Sequence, residues 1–255
     1  MLTVHARFHA PEARAPGQVL TLAADEAAHL TRVLRLTAGA PVRVFDGAGH
    51  EFDAVVESTS RHGADIRVLT LRAATPEMRL RVTLAPAVLK GDKMDDVVRD
   101  AVMMGVAAVQ PLITARSEVS SAVLSRGRRR ERWQRIAVIS AKQCGRAVVP
   151  EVLEPLTLQA LCAARAADGG AAAGEAALML VEPDAAEDAM TLAAVARPSG
   201  SSALVVVGPE GGWSPEELRA SSGALQLVTL RAPTLRADAM PVAALAALFS
   251  RWGEW

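Results

Sequence analysis

The sequence predicts two successive parts of different class, a small β-structured unit over residues 1–75 and a larger α/β unit over residues 79–255. Three observations predict it. Within the first 75 residues, β-branched and apolar residues alternate or cluster in four runs, VLTL, VRVFD, FDAVVEST and ADIRVLTL, as short strands require. From residue 80 onward, apolar runs alternate with stretches of helical period, which implies a mostly parallel sheet covered by helices. A length of 255 residues accommodates one large domain or two ordinary ones, and TPEM at 75–78 reads as a linker.

In the first part, DGAGH (46–50) is a tight turn. One short helix is expected at roughly 25–35, with Leu30, Val33 and Leu34 as its apolar face. A small barrel or sandwich fits this pattern. In the second part, RVTLAPAV (81–88) is an apolar strand run followed by a helix at about 92–104. Asp92 can cap that helix, Met94, Val97, Val98, Ala101 and Met104 form its inner stripe, and Gly105 ends it. AAVQPLI (107–113) reads as another strand, 125–143 as a long basic helix, TLQALCAARAA (157–167) as a further helix and DGGAAAGE (168–175) as a flexible connection. LMLV (178–181), LVVV (204–207) and LQLVTL (225–230) are buried-strand runs. Ligands in such sheets bind outside the carboxyl ends of the strands, so a site is expected just after residues 181, 207 and 230.

Composition narrows the class. Hydrophobic residues make up 51% and charged residues 22%, a globular balance rather than a disordered one. The longest apolar run, PVAALAALF at 241–249, is half a membrane span. The opening residues MLTVHARFHAPEARAP lack a basic-then-apolar pattern, so secretion is not expected. Cys144 and Cys162 make no framework and have no zinc spacing, which favours a reducing compartment and no metal. The expectation is a cytoplasmic protein without a membrane partner. The balance of 28 basic and 28 acidic residues conceals an asymmetry: 8 against 9 in residues 1–78, 14 against 6 in 79–149, and 6 against 13 in 150–255. The middle segment carries the charge of a surface that meets phosphate.

After the LVVV strand comes GPEGGWSPEE (208–217). Its glycines permit backbone conformations closed to other residues and close approach of a ligand. Ser214, Pro215 and Glu217 form a helix-start signature of cap, first-position proline and capping-box acid. A strand, a glycine loop and a capped helix together suit a pocket floor; a tight turn without ligand is the alternative. Glu210 inside the loop, and the lack of a following lysine, disfavour phosphate. No G-x-G-x-x-G follows an expected strand, so a dinucleotide site has little support.

GPEGGWSPEE resembles the GPEGG-F-S-x-x-E signature of the bacterial small-subunit rRNA uridine N3-methyltransferases, of the knotted SPOUT class. Further segments are similar in the same order. RFH (7–9) resembles an Arg-Phe-Phe stretch, and HLTRVLRLTAGAPVRVFDGAG (29–49) a His-x-x-x-Val-Leu-Arg signature with its Phe-Asp-Gly turn. LKGDKMDDVVRDAVMMGVAAVQPLITARS (89–117) resembles a Lys-x-Asp-Lys-Met helix with a Pro-Leu-x-x-x-Arg-Ser loop. RWQRIAVISAKQCGRAVVPEV (132–152) resembles an Arg-Trp helix ending in Gln-x-x-Arg-x-x-x-Pro.

The resemblance implies a PUA-like β-barrel for RNA recognition, then a SPOUT α/β domain with a deep trefoil knot, a feature that periodicity does not reveal. It implies a homodimer that binds S-adenosylmethionine and methylates N3 of a uridine in 16S rRNA of the small ribosomal subunit. Carried over by motif, the cofactor residues are Val181, Glu182, Pro183, then Gly208, Pro209, Glu210, Gly211 and Gly212, then Leu230, Leu235 and Arg236. The dimer contact is expected on the final helix, 241–251, and part of the Arg-Trp helix. The sequence departs from the family's Leu-Gly-x-Arg-Ile-Leu-Arg-x-Glu-Thr-Ala at Arg231, Pro233, Asp238 and Ala239, and elsewhere at Met103, Ile139 and Lys142. A knotted ribose 2′-O-methyltransferase and a non-catalytic RNA-binding paralogue remain as alternatives.

Uridine N3 is a poor nucleophile until it loses its proton, and the resulting charge spreads to two carbonyl oxygens. Arg236 is the first choice to stabilise that charge, because its guanidinium donates from a planar fork and stays charged; a salt bridge with Asp238 or a phosphate contact is the alternative. Asp238 is too acidic to act well as the base and is better suited to orient Arg236. The six arginines within 125–135 suit RNA backbone contact, with Arg128, Arg129 and Arg130 as candidates and a solvated helix face as the alternative. Arg7, Arg32 and Arg35 are further RNA candidates in the barrel, with support of the barrel as the alternative for Arg35, and Arg116 and Arg146 stand at motif positions where RNA contact and dimer contact are both expected. Trp133 is expected in the core of its helix, and His29 as a structural hydrogen-bonder.

Overall fold

A computed structural model of the chain describes residues 6–61, 63–117, 128–167, 174–183, 185, 188–230 and 233–255. Residues 1–77 and 138–149 form one unit, and residues 78–137 and 150–255 the other.

In the first unit, strands Ala6–His9 (β1), Val19–Thr21 (β2), Pro41–Phe45 (β3), Glu51–Thr59 (β4) and Ala64–Arg72 (β5) form one sheet in the order β1-β3-β4-β5-β2. Its pairings are antiparallel except β1 with β3. Alternate residues such as Val42, Val44, Phe52, Ala54, Ile66 and Val68 point into one core together with Phe8 and Leu30, as the period of two demands. The periodicity of the sequence does not announce β1, whose partner lies 36 positions away in the register Ala6 to Val42.

The helix expected at 25–35 is shorter. It runs Ala24–Ala28 (α1) and passes into a wide π turn, His29–Val33, in which Leu34 N–H reaches the His29 carbonyl at 3.0 Å. The wider turn breaks the period of 3.6, so Leu30 stays buried while Val33 and Leu34 are 66% and 40% exposed. Arg35 then adopts φ 54°, the one left-handed non-glycine backbone among the described residues. Residues 138–149 close this unit through Arg7, which donates to the carbonyls of Ala141, Lys142 and Arg146 and to Glu51 Oε1. Lys142 pairs with Glu26 at 2.6 Å, and Arg146 pairs with Glu77.

In the second unit, Arg81–Pro86 (β6), Ala108–Val109 (β7), Glu151–Val152 (β9), Ala176–Leu180 (β11), Met190–Thr191 (β12), Ser202–Val207 (β13) and Gln226–Thr229 (β14) build a sheet in the order β12-β14-β11-β13-β6-β7-β9, parallel throughout. The AAVQPLI run is interrupted rather than continuous. Pro111 has no N–H to give a ladder, and beyond it Leu112–Ile113 (β8) pairs separately with Leu156–Thr157 (β10). Helices Lys93–Met104 (α2), Leu158–Ala167 (α4), Pro215–Ser221 (α5) and Met240–Trp252 (α6) accompany the sheet, α2 packs against α6, and of the helix Arg129–Cys144 (α3) residues 129–137 belong to this unit and 138–144 to the first.

The inner stripe of α2 is Met94, Val97, Val98, Ala101 and Val102, with Met104 only half-buried and Met103 exposed. Asp92 stands at the N-cap position without capping, because its carboxylate accepts from Arg132 Nη2 at 2.9 Å instead. Trp133 is buried in α3 as expected. Residues 125–127 of the expected basic helix and most of DGGAAAGE lie outside the described residues.

Candidate active site

The three strand ends singled out by the sequence belong to neighbouring strands, β14, β11 and β13. Parallel pairing puts their carboxyl ends on one edge of the sheet, and a cavity of about 310 Å³ opens there. Its lining includes Val181, Glu182 and Pro183 after β11, Gly208, Pro209, Glu210 and Gly212 after β13, and Leu230, Leu235 and Arg236 after β14. Gly211 is not among the lining residues. It faces Arg116, whose Cβ would lie 3.2 Å from a side chain built there.

The glycine loop is shaped by its own chemistry. A Cβ on Gly208 would stand 2.9 Å from the ring of Trp213, which is buried and held by its Nε1–H donating to the Leu180 carbonyl at 2.7 Å. Gly212 has φ 68°, a left-handed conformation that favours glycine, and packs against the Glu182 carboxylate. The capping box forms: Glu217 N–H donates to Ser214 Oγ at 3.2 Å and Ser214 N–H to Glu217 Oε2 at 2.9 Å. The other oxygen of the fully buried Glu217 carboxylate accepts Ala115 N–H at 2.8 Å. Arg116 Nη1 donates to the Gly211 carbonyl at 2.8 Å, so the 114–117 turn is held both to the glycine loop and to the helix that follows it.

Among the described residues, two cations and two anions line the cavity: Lys93, Arg236, Glu182 and Glu210. Lys93 Nζ lies 2.8 Å from Glu210 Oε1. Burial raises the Glu210 carboxyl, but the hydrogen bond from Lys93 and backbone N–H donors outweigh it and hold the group below its ordinary range. Arg236 Nη2 is 3.2 Å from Asp238 Oδ2, with the arginine side chain 75% exposed. Asp238 does not line the cavity, and its Oδ1 is buried with no hydrogen-bond partner among the described residues. Sequence reasoning missed Lys93, Trp213, Thr229 and Met240 as lining residues. Lys93 stands within the Lys-x-Asp-Lys-Met segment that the resemblance already marked, and that was the available signal.

The arginines offered as RNA contacts divide by burial. Arg7 and Arg146 are taken up inside the first unit, their side chains 11% and 8% exposed and committed to Glu51, Glu77 and backbone carbonyls. Arg32 and Arg35 are exposed, with no ion pair among the described residues. Arg116 is exposed but bonded to Gly211. Just before α3, Arg128 is 86% exposed; on α3, Arg129 is half-buried and Arg130 donates to the Val152 carbonyl beside Glu151 and Glu154. Among the described residues no cluster of His, Cys, Asp or Glu suits a metal, and no helix is long and apolar enough to cross a membrane.

Comparison with known proteins agrees with this geometry. Residues 76–249 match an RNA methyltransferase domain and residues 22–69 an RNA methyltransferase PUA domain. The chain is 33% identical to ribosomal RNA small subunit methyltransferase E of Synechocystis over 91% of its own length and 74% of the relative. It is 32% identical to the protein of that name from Mycobacterium bovis, over 92% and 89%. Ribosomal RNA small subunit methyltransferase E of Neisseria gonorrhoeae, solved bound to S-adenosylmethionine, superposes with a TM-score of 0.84 at 30% identity, covering 97% of this chain and 98% of that one. A Legionella pneumophila protein solved with the same cofactor gives 0.86 at 28% identity, over 96% and 97%. The PUA match explains the β-rich first unit, the methyltransferase match spans the parallel sheet and its cavity, and the chain belongs to this RNA methyltransferase family.

Proposed function

We propose that the chain is an S-adenosylmethionine-dependent methyltransferase acting on N3 of a uridine in 16S rRNA of the small ribosomal subunit, in the cytoplasm. The observation that carries the reading is the cavity at the three adjoining strand ends, floored by a glycine loop with no room for added side chains at Gly208. A cavity of about 310 Å³ with an apolar floor and a few charged groups at its edge fits a nucleoside-sized cofactor. When bound, S-adenosylmethionine supplies an activated methyl group on a sulfonium centre. The family's knot, in a SPOUT domain over residues 79–255 following a PUA-like barrel over 1–75, belongs to the same reading, as does a homodimer with α6 and part of α3 at its contact.

In this reading Val181–Pro183, Gly208–Gly212 and Leu230–Arg236 hold the cofactor, with Gly211 serving through its carbonyl contact to Arg116. Arg236 donates to a carbonyl oxygen of the uracil as N3 loses its proton, and Asp238 orients it. The target base leaves its stack to reach the cavity. Arg32, Arg35, Arg128 and Arg129 meet RNA phosphates, whereas Arg7, Arg130 and Arg146 hold the protein together. Incubation of unmethylated small subunits with protein and S-adenosylmethionine, followed by mass spectrometry of nucleosides, tests this. N3-methyluridine is the expected product; a ribose-methylated product would favour the 2′-O alternative, and tight RNA binding without transfer the paralogue.

A further inference from the structure

Lys93 is the first residue of α2, where the helix macrodipole already presents positive charge. A cation there is unfavourable to the helix, so its stabilisation comes from elsewhere. It comes from Glu210 of the glycine loop, 117 positions away, at 2.8 Å. Both side chains line the cavity and both are about one-third exposed, 34% and 37%, which puts the pair at the mouth rather than the floor. Besides Arg236, Lys93 is the one cation lining the cavity among the described residues.

The chemistry asks for more than one donor. Removing the N3 proton of a uracil spreads negative charge over two carbonyl oxygens, one on each side of the nitrogen. One guanidinium on one side leaves the other oxygen to water, and donors fixed in advance cost no reorganisation when charge develops. We propose that Lys93 is a second catalytic cation, its ammonium donating to one uracil carbonyl oxygen while Glu210 keeps it at the cavity mouth. The N3 proton passes to solvent water, and Lys93 retains its own three. This rests on the methyltransferase reading above.

The test uses the full chain with unmethylated small subunits, in the forms Lys93→Met and Lys93→Arg, each checked for native circular dichroism. Calorimetry gives cofactor affinity, and turnover at saturating substrates gives kcat as a function of pH. Lys93→Met should keep cofactor affinity within about threefold and lose about a hundredfold in kcat, the scale of a missing oxyanion donor. The loss should shrink as pH rises and hydroxide removes the N3 proton unaided, and Lys93→Arg should recover at least part of the rate. An undiminished kcat in Lys93→Met would overturn the proposal. So would a loss of cofactor affinity with kcat preserved, since Lys93 would then merely hold the glycine loop. If the unaltered chain transfers no methyl group, the methyltransferase reading falls and this inference with it; transfer by the unaltered chain separates the two.

Discussion

The carboxylate of Glu217, with no exposed surface, accepts the backbone N–H of Ala115 at 2.8 Å from 102 positions away in the chain. Its second oxygen takes Ser214 N–H at 2.9 Å, so one buried side chain closes the capping box and fastens the 114–117 turn to the helix behind the glycine loop. Replacement by alanine strands the buried Ser214 N–H and the part-buried Ala115 N–H, each costing about 1–3 kcal/mol where water does not replace the carboxylate. Glu217→Ala should therefore lower the unfolding free energy by roughly 2–5 kcal/mol and weaken cofactor binding. Glu217→Gln, which keeps one acceptor, should lose about half as much. Denaturant unfolding monitored together with calorimetry checks both.

Gly208 sets a steric limit on the cavity. Its missing Cβ would meet the Trp213 ring at 2.9 Å, and that ring is anchored to the Leu180 carbonyl. Gly208→Val should abolish measurable S-adenosylmethionine binding. Gly17→Ala, at an open left-handed turn with nothing within 4 Å, should cost only about 1 kcal/mol of stability and leave binding intact. A Gly208→Val protein that still binds would remove this loop from the site.

The arginines should separate into two behaviours. Arg7→Ala deletes an ion pair and three hydrogen bonds to carbonyls in the first unit and should lower the melting temperature markedly. Joint replacement of exposed Arg32 and Arg35 by alanine should leave melting nearly unchanged. It should reduce the slope of log affinity against log salt for rRNA by about 2, near one for each phosphate no longer neutralised. Thermal scans and binding titrations across salt concentrations distinguish the two.

His9 should make the first unit sensitive to acid. Burial lowers its pKa below the ordinary 6.5, against the raising influence of Glu26, Asp46 and Asp25. Because the folded state disfavours the protonated ring, the stabilisation is complete above the unfolded value and falls away as pH drops below it. The His9 ring packs at a tilt against Phe45 with centroids 5.1 Å apart, a contact that phenylalanine can keep. His9→Phe should thus gain melting temperature relative to the parent as pH falls from about 7.5 to about 5.5. A constant difference across that range would contradict it.

Local chemistry determined a good deal from sequence alone. Ser214, Pro215 and Glu217 start a helix because a capping oxygen, a preset φ and a reciprocal carboxylate lie within four residues of one another. Buried runs such as LVVV could only be interior strands or buried helix segments, and their carboxyl ends marked where to look for a site. Tertiary structure alone decided that those ends are neighbours, since strand order depends on pairings between segments far apart in the chain. It decided that Lys93 joins Glu210 at the cavity mouth and that Arg7 and Arg146 turn inward. It also decided that Val33 and Leu34 leave the core, because a π turn shifted the helix phase. An arginine's composition is the same on a surface as in a core. Which it occupies depends on carboxylates and carbonyls that folding brings near, such as the Arg146 carbonyl that meets Arg7 across 139 positions, and no local period records that encounter.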